Sequence, residues 1–337
     1  MHAHTPRLAI AVIAALSLLL TACGGSTAAP ISTADTPTPA PTAAPRATPA
    51  AVAHAPQPTA GAGKPTVIAT TTQLEDVLMN VAGDRMTVIG LVPRNGDPHE
   101  FEPTPEDVER IAESQAVFKN GIGLEGWLGE LLANAGGERP IFDTSQGIQP
   151  GVIDRAFEEG GEEDPHIWMS PVLMQKVTDN VAAGLKQIDP AGAATYDANA
   201  AAYKGKLKEL DAWAAQELAA IPPERRKLVT AHDAMGYFAS RYNFTVIGTL
   251  IPSVSTEAAD TSAKDLAALV ETIQAAGVPA IFAERSVNPT FIEQVAAEAH
   301  VKVLELYVDS LGEKGGEAGT YLDFMRTNVR RIVEGLK

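Results

Sequence analysis

The architecture of this chain is most evident in Leu228-Val229-Thr230-Ala231-His232-Asp233-Ala234. The first residues form a short apolar, β-branched run, which predicts a buried β-strand that ends at His232. A helical pattern follows at once, over residues 234–241. A strand that passes directly into a helix is the repeating unit of a parallel sheet covered by helices, so the pattern predicts an α/β fold.

The same alternation recurs on both sides of these residues. Further strands are predicted at residues 66–70, 86–92, 116–119, 141–142, 244–250, 280–284 and 301–308. Thr104 and Pro105 predict the start of a helix, because a threonine cap followed by proline suits a first turn. Two longer helical patterns, at residues 171–188 and 193–219, separate the two groups of strands. We therefore predict two lobes, each with a mainly parallel sheet flanked by helices, joined by a long rigid helix.

The N-terminus is predicted to carry an export signal and a lipid-attachment site. Arg7 precedes a nearly unbroken apolar run, and Leu20-Thr21-Ala22-Cys23 places small residues before the cysteine, which resembles a bacterial lipobox. The apolar run is shorter than the ~20 residues that a membrane-spanning helix needs. We expect a signal peptide at residues 1–22 and lipidation of Cys23. The mature protein would then be lipid-anchored on the outer face of the bacterial plasma membrane.

The chain after Cys23 divides into a tether and a folded part. Residues 23–64 are rich in Pro, Thr and Ala and cannot bury enough apolar surface to offset the entropy of ordering, which predicts a disordered tether. In the folded part we expect an N-terminal lobe at residues 65–190, a connecting helix at 191–221 and a C-terminal lobe at 222–337.

The composition excludes several classes of partner and site. The formal net charge is −16, from 26 basic and 42 acidic residues, which argues against binding of nucleic acid or anionic lipid surfaces. Cys23 is the single cysteine of the chain, so no internal disulfide can form and no thiolate can bind a metal.

Four polar residues are candidates for a metal site: His99, His166, His232 and Asp309. Each lies where an apolar run ends or where a proline-containing turn occurs, and ligands of open α/β sheets lie beyond the carboxyl ends of strands. Neutral imidazoles and a carboxylate can complete a tetrahedral shell around a divalent cation. The tripeptide Asp-Pro-His occurs twice, at residues 97–99 and 164–166, which strengthens both histidines as candidates.

Simpler roles remain open for each candidate. His99 could be a solvated loop residue, His232 a neighbour of a helix cap, and Asp309 a turn or N-cap residue. Glu284 also ends a strand, and we expect it to be a partner of a ligand, with Arg285 nearby, because a metal-bound histidine usually donates its second nitrogen to a carboxylate. The acidic loop at residues 158–164 is either a solvated loop or a weak cation collector ahead of His166.

Several motifs together resemble one protein family. They are Gly96-Asp97-Pro98-His99-Glu100-Phe101-Glu102-Pro103-Thr104-Pro105, Asn120-Gly121, Leu124-Glu125, Asp164-Pro165-His166-Ile167-Trp168, the residues from His232 to Tyr237-Phe238, and Asp309-Ser310-Leu311-Gly312. In the same order they resemble motifs of the zinc- and manganese-binding receptors of ABC importers (TroA-like), and the resemblance covers nearly the whole chain from Pro65 onward.

The resemblance implies a metal receptor with its site between two lobes. His99 and His166 would come from the first lobe, His232 and Asp309 from the second, and the helix from about Ala193 would connect them. The cargo would pass to the ABC permease of a metal importer. We expect a monomer with no enzymatic activity.

The identity of the metal is predicted from the ligand set. A histidine at position 232 resembles the zinc-type members, whereas manganese-selective members often carry glutamate there. Three imidazoles and one carboxylate also suit Zn²⁺, while Mn²⁺ prefers more oxygen ligands. The acidic loop lacks the histidines that many zinc-type members carry before the second ligand. We expect zinc first and manganese next.

Two other functions fit the same residues. A zinc hydrolase would keep three protein ligands and an open water position, with Asp309 as general base, but the chain has no His-Glu-x-x-His pattern. An adhesin-like surface lipoprotein would hold the metal for structural reasons only.

Overall fold

The computed structural model describes residues 63–153, 162–251, 262–285 and 289–337. The predicted signal peptide at 1–22, Cys23, nearly all of the tether and residues 158–161 of the acidic loop lie outside this range. Within the described part, no helix combines the length and the apolar character needed to cross a membrane.

The first lobe contains a parallel sheet whose strand order is β2-β1-β3-β4. These strands are β1 (Thr66–Ala69), β2 (Thr87–Gly90), β3 (Ala116–Lys119) and β4 (Ile141–Asp143), and its helices are α1 (Thr72–Ala82), α2 (Pro105–Glu113) and α3 (Leu128–Ala135). Ile68 of the central strand lies opposite Ile89 and Val117, and its side chain is fully buried. Burial of such β-branched residues on both faces is why this strand is central.

Two local predictions differ in outcome. The helix start at Thr104 is confirmed, since Thr104 accepts a hydrogen bond from the Asp107 amide while the Asp107 carboxylate accepts one from the Thr104 amide. The sequence also predicts a helix over residues 124–132, and this prediction is wrong over its first turn, because α3 begins at Leu128. Glu125 instead accepts hydrogen bonds from the backbone amides of Asn120 and Gly121, at 2.6 and 3.1 Å, and so closes a turn.

An antiparallel hairpin follows the first sheet. It pairs β5 (Gly151–Ile153) with β6 (Glu162–Asp164), where the sequence predicted only an acidic loop. The loop prediction is therefore wrong for residues 162–164. Tyr237 fixes this hairpin from outside, because its hydroxyl accepts a hydrogen bond from the Gly151 amide at 2.8 Å and donates one to the Asp164 carbonyl at 2.7 Å.

Two long helices connect the halves of the chain, α4 (Pro171–Ile188) and α5 (Ala193–Leu218). The 26 residues of α5 bury one face, formed by Tyr196, Ala200, Tyr203, Leu207, Leu210, Asp211, Ala214 and Leu218. This spacing of three and four residues is the spacing of one side of an α-helix. The long connecting helix predicted from the sequence is therefore present.

The second lobe repeats the strand-helix alternation. Its strands are β7 (Lys227–His232), β8 (Thr245–Ile251), β9 (Ala280–Glu284) and β10 (Lys302–Leu306), and its helices are α6 (Gly236–Tyr242), α7 (Ala263–Ala276), α8 (Thr290–Ala299) and α9 (Tyr321–Leu336). The strands form two parallel pairs, β7 with β8 and β9 with β10. The predicted α/β fold with mainly parallel sheets is confirmed.

The largest buried cluster is shared by both halves of the chain. It includes Trp168, Phe118 and Leu78 from the first half together with Tyr321 and Phe324 of α9. A separate cluster lies between the strands of the second lobe and the helices α7 and α8. Because the main core is continuous, it marks no boundary between lobes, and the domain limits expected at residues 190 and 221 stay predictions.

A pair of helical glycines provides a test of this packing. A Cβ on Gly184 of α4 would lie 2.6 Å from the Phe118 ring, whereas a Cβ on Gly205 of α5 would meet nothing within 4 Å. We expect Gly184→Ala to lower the free energy of unfolding by about 1–3 kcal/mol through overpacking. Gly205→Ala should raise it by about 0.5–1 kcal/mol, because alanine is the better helix former. Urea denaturation of the metal-free protein measures both, and shifts of the same sign would contradict the packing described.

Candidate metal centre

The fold brings the four candidate residues to one place. His99 lies in the turn after β2, His166 follows β6, His232 is the last residue of β7 and Asp309 follows β10. One ligand atom from each lies within 4.8 Å of all the others. The carboxyl ends of strands, where the sequence placed His232 and Asp309, therefore do meet.

The distances between these atoms suit a small cation. The Nε2 atom of His166 lies 3.2 Å from Nε2 of His99 and 3.1 Å from Nε2 of His232. Asp309 Oδ1 is 3.4 Å from His232 Nε2 and 3.9 Å from the same atom of the other two histidines. A tetrahedral ion with bonds of about 2.0–2.1 Å requires its ligands to be about 3.3 Å apart. These five separations, from 3.1 to 3.9 Å, are therefore close to those of a tetrahedral shell.

The centre is shielded from solvent. The side chains of His166, His232 and Asp309 are fully buried, and that of His99 is 5% exposed. A cation that binds here must lose its water shell and receive equivalent contacts from the protein.

The two Asp-Pro-His tripeptides share a backbone geometry. Asp97 Oδ1 accepts a hydrogen bond from the His99 amide at 2.8 Å, and Asp164 Oδ1 accepts one from the His166 amide at 2.9 Å. Each aspartate thus closes a short turn that projects the histidine two residues later. Asp164 Oδ1 also lies 2.7 Å from His166 Nδ1, which orients the imidazole so that Nε2 faces the centre.

Glu284 orients His232 in a similar way. One carboxylate oxygen contacts His232 Nδ1, and the other accepts hydrogen bonds from the backbone amides of Ala231 and His232 at 3.0 and 3.1 Å. The structure thus brings Glu284 beside a candidate ligand. Arg285 does not pair with it, because its Nε donates to Glu305 Oε2 at 3.0 Å.

The backbone around Asp309 is held by residues that sequence reasoning missed. Gln73 Nε2 donates to the Asp309 carbonyl at 3.1 Å, and the Leu311 amide donates to Thr72 Oγ1 at 2.8 Å. Trp168 Nε1 donates to the Val308 carbonyl at 2.8 Å. Thr72 and Gln73 begin α1 shortly after the end of β1. This position beyond a strand end is the sequence feature that could have identified them as part of the site.

The charge states of the three imidazoles differ. Burial, together with the neighbouring imidazoles, lowers the pKa of His99 to about 2 and that of His166 well below its usual value. Burial would also lower the pKa of His232, but Glu284 and Asp309 outweigh it and raise that pKa to about 10. In the metal-free centre His232 therefore carries the proton, and its Nε2–H can donate to the neutral His166. A metal cation would replace that proton, because coordination requires an unprotonated nitrogen.

A family model and individual relatives both indicate the same protein family for this chain. The family model described as "Zinc-uptake complex component A periplasmic" matches residues 67–335. The metal ABC transporter substrate-binding lipoprotein ScbA of Streptococcus cristatus is 33% identical over 283 residues, which are 82% of this chain and 90% of ScbA. The manganese-binding lipoprotein MntA of Halalkalibacterium halodurans is 34% identical over 264 residues, which are 78% of this chain and 85% of MntA.

Solved structures share the fold. The periplasmic zinc-binding protein TroA of Treponema pallidum superposes with a TM-score of 0.74 at 33% identity and covers 81% of this chain and 99% of its own. A manganese-bound periplasmic metal-binding protein of Candidatus Liberibacter asiaticus gives a TM-score of 0.73 at 26% identity, over 81% of this chain and 100% of its own. The resemblance recognised in the sequence is confirmed.

The different pKa values of the three imidazoles can be measured directly. In metal-free protein we expect NMR titration of the histidine side chains to show His232 charged at neutral pH and losing its proton near pH 10, with His99 and His166 neutral throughout. A raised pKa stabilises the fold fully below the unfolded value of about 6.5, and this contribution disappears as pH rises through the folded value. Glu284→Gln should lower the pKa of His232. Three imidazoles that titrate together near pH 6.5 would contradict this assignment.

Proposed function

Because this chain belongs to the zinc-uptake complex component A family, the substrate-binding receptors of metal ABC transporters, we propose that it captures Zn²⁺ outside the cell and delivers it to an ABC permease. The ligands would be His99, His166, His232 and Asp309. The observation that carries the proposal is the convergence of four buried ligand atoms within 4.8 Å, from four separate segments of the chain.

The receptor is not an enzyme, since its family consists of binding components of importers. The ligand count agrees with this. Catalytic zinc keeps three protein ligands and one position for water, whereas four protein atoms surround this centre. Asp309 would therefore be a ligand and not a general base.

Zinc is favoured over manganese by the chemistry of the donor atoms. Three imidazole nitrogens and one carboxylate oxygen at near-tetrahedral separations suit Zn²⁺, while Mn²⁺ prefers octahedral sites richer in oxygen. The relatives include proteins named for either metal, the manganese-binding MntA and the zinc-binding TroA. The local geometry of this chain supports zinc as the preferred cargo and manganese as its main competitor.

The proposed function includes a lipid anchor at Cys23. Relatives similar over most of this chain are named lipoproteins, and the sequence around Cys23 fits such a processing site. We infer that lipidated Cys23 holds the receptor on the outer face of the plasma membrane, that residues 23–64 act as a tether, and that the receptor works as a monomer.

Removal of single ligands tests the centre. We expect His99→Ala and His232→Ala each to weaken zinc binding by more than about 100-fold, beyond the effect usual for partners of ligands. His300→Asn is the control, because His300 is exposed at the C-cap of α8 with φ 58°, a conformation that asparagine tolerates. Calorimetric titration with zinc, and competition between zinc and manganese, supply the measurement.

Three results, two from these titrations and one from chelation of the wild-type protein, would count against the proposal. Unchanged zinc affinity in both variants would mean that the centre lies elsewhere. Displacement of bound zinc by equimolar manganese would contradict the zinc preference. Unfolding of the wild-type protein on chelation would instead support a metal with a structural role.

Glu284 gives a second test that leaves all four ligands intact. Glu284→Gln removes the charge that fixes His232 through Nδ1, and we expect zinc affinity to fall about 10- to 100-fold, the effect usual for such partners. Glu305→Gln is the matched control, since Glu305 lies on β10, the strand paired with β9, bonds to Arg285 and is 41% exposed. Equal affinities of the two variants would show that Glu284 does not act through His232.

A further inference from the structure

Two loops that carry candidate ligands touch each other outside the centre. The His99 turn (residues 93–99) contains Asn95 at φ 58° and a hydrogen bond of 3.0 Å from the Gly96 amide to the Pro93 carbonyl. The Asp309 loop (residues 308–319) closes on itself, because the Gly312 amide donates to the Ala318 carbonyl at 3.0 Å. The two segments lie more than 200 positions apart in the sequence yet share several bonds.

Arg94 is the centre of these contacts. Its Nη1 donates to the carbonyls of Gly312 and Gly319, at 2.9 and 2.7 Å, and so bonds to two separate points of the Asp309 loop. Its Nη2 donates to Glu75 Oε2 at 3.2 Å. The Arg94 and Glu75 side chains are only 12% and 10% exposed, so these charge-assisted bonds are poorly screened by solvent.

Neighbouring residues reinforce the same junction. The Asn95 amide donates to the Leu311 carbonyl at 3.1 Å, and Asn95 Nδ2 donates to Glu313 Oε1 at 2.9 Å. Lys314 Nζ lies 3.1 Å from Glu75 Oε1. The Asp309 loop is therefore joined to the first lobe by backbone bonds, side-chain bonds and ion pairs.

His232 is held in a different way. The contacts that fix its backbone and its Nδ1 come from Glu284, which belongs to the second lobe. Asp309 is fixed by Thr72, Gln73, Trp168 and, through its loop, Arg94, which all belong to the first lobe. Contacts from the first lobe thus hold the Asp309 loop, whereas the contacts that orient His232 come from the second lobe.

We propose that Arg94 is a positioning residue, which holds His99 and Asp309 in a fixed relation and thereby sets how slowly a bound cation leaves. The inference rests on the proposed function, because it assumes that these two residues are ligands. Loss of the guanidinium would let the Asp309 loop move away from the His99 turn. Such freedom acts mainly on the dissociation rate, since the ligands themselves and the approach to them are unchanged.

The experiment measures zinc release by stopped flow, with an excess of a chelating dye added to the zinc-loaded protein. We expect Arg94→Gln to release zinc at least about tenfold faster than the wild type, and Arg94→Lys to fall between them. Arg85→Gln is the control, because Arg85 has a comparable bonded partner, Asp189, in contacts that involve no candidate ligand. The melting temperature of each metal-free variant separates a positioning role from a general loss of stability.

The release rates and melting temperatures together support or overturn the proposed role of Arg94. Fast release from Arg94→Gln, with a melting temperature no lower than that of Arg85→Gln and partial rescue by lysine, supports the proposal. A release rate within about twofold of the wild type overturns it. If Arg94→Gln does not fold, Glu75→Gln decides in its place, with about threefold faster release expected and an unchanged rate overturning the proposal.

Asp309→Ala distinguishes failure of this inference from failure of the proposed function. Unchanged zinc affinity in Asp309→Ala would overturn the proposed site and the role of Arg94 with it. Weakened affinity in Asp309→Ala together with an unchanged release rate in Arg94→Gln would overturn the inference alone.

Discussion

The whole centre depends on carboxylates that bond to the outer nitrogens of buried imidazoles. Asp164 holds His166 through Nδ1 and Glu284 holds His232 in the same way, so both Nε2 atoms point inward. Without these partners the rings could rotate, and three nitrogens could not remain within bonding distance of one ion. Glu284, together with Asp309, also compensates for the burial of the cationic His232 imidazole, which would otherwise carry a large desolvation cost.

The fold serves this requirement by bringing strand ends together. Parallel strands direct their carboxyl ends to one edge, and β7 and β9 place His232 and Glu284 side by side there. The first lobe contributes the same turn twice: an aspartate carboxylate accepts a hydrogen bond from the amide of the histidine two residues later. The buried face of the long helix α5 belongs to the core that both halves of the chain share.

Much of this could be predicted from the sequence, because it depends on local patterns. Strand ends located His232 and Glu284, and the repeated tripeptide identified His99 and His166. What escaped prediction involves contacts between distant segments: the hairpin of β5 and β6, and the roles of Thr72, Gln73 and Arg94. Arg94 has ordinary neighbours in the sequence, and only the folded chain brings it against residues more than 200 positions away.

The position of the Asp309 loop and α9 has a consequence for how the molecule is made. Both come late in the sequence, yet they complete the core of the first lobe through Trp168, Tyr321 and the first turn of α1. The N-terminal half therefore lacks its full interior until these late segments have been synthesised. A polypeptide of this kind can complete its main core only after its last helix has left the ribosome.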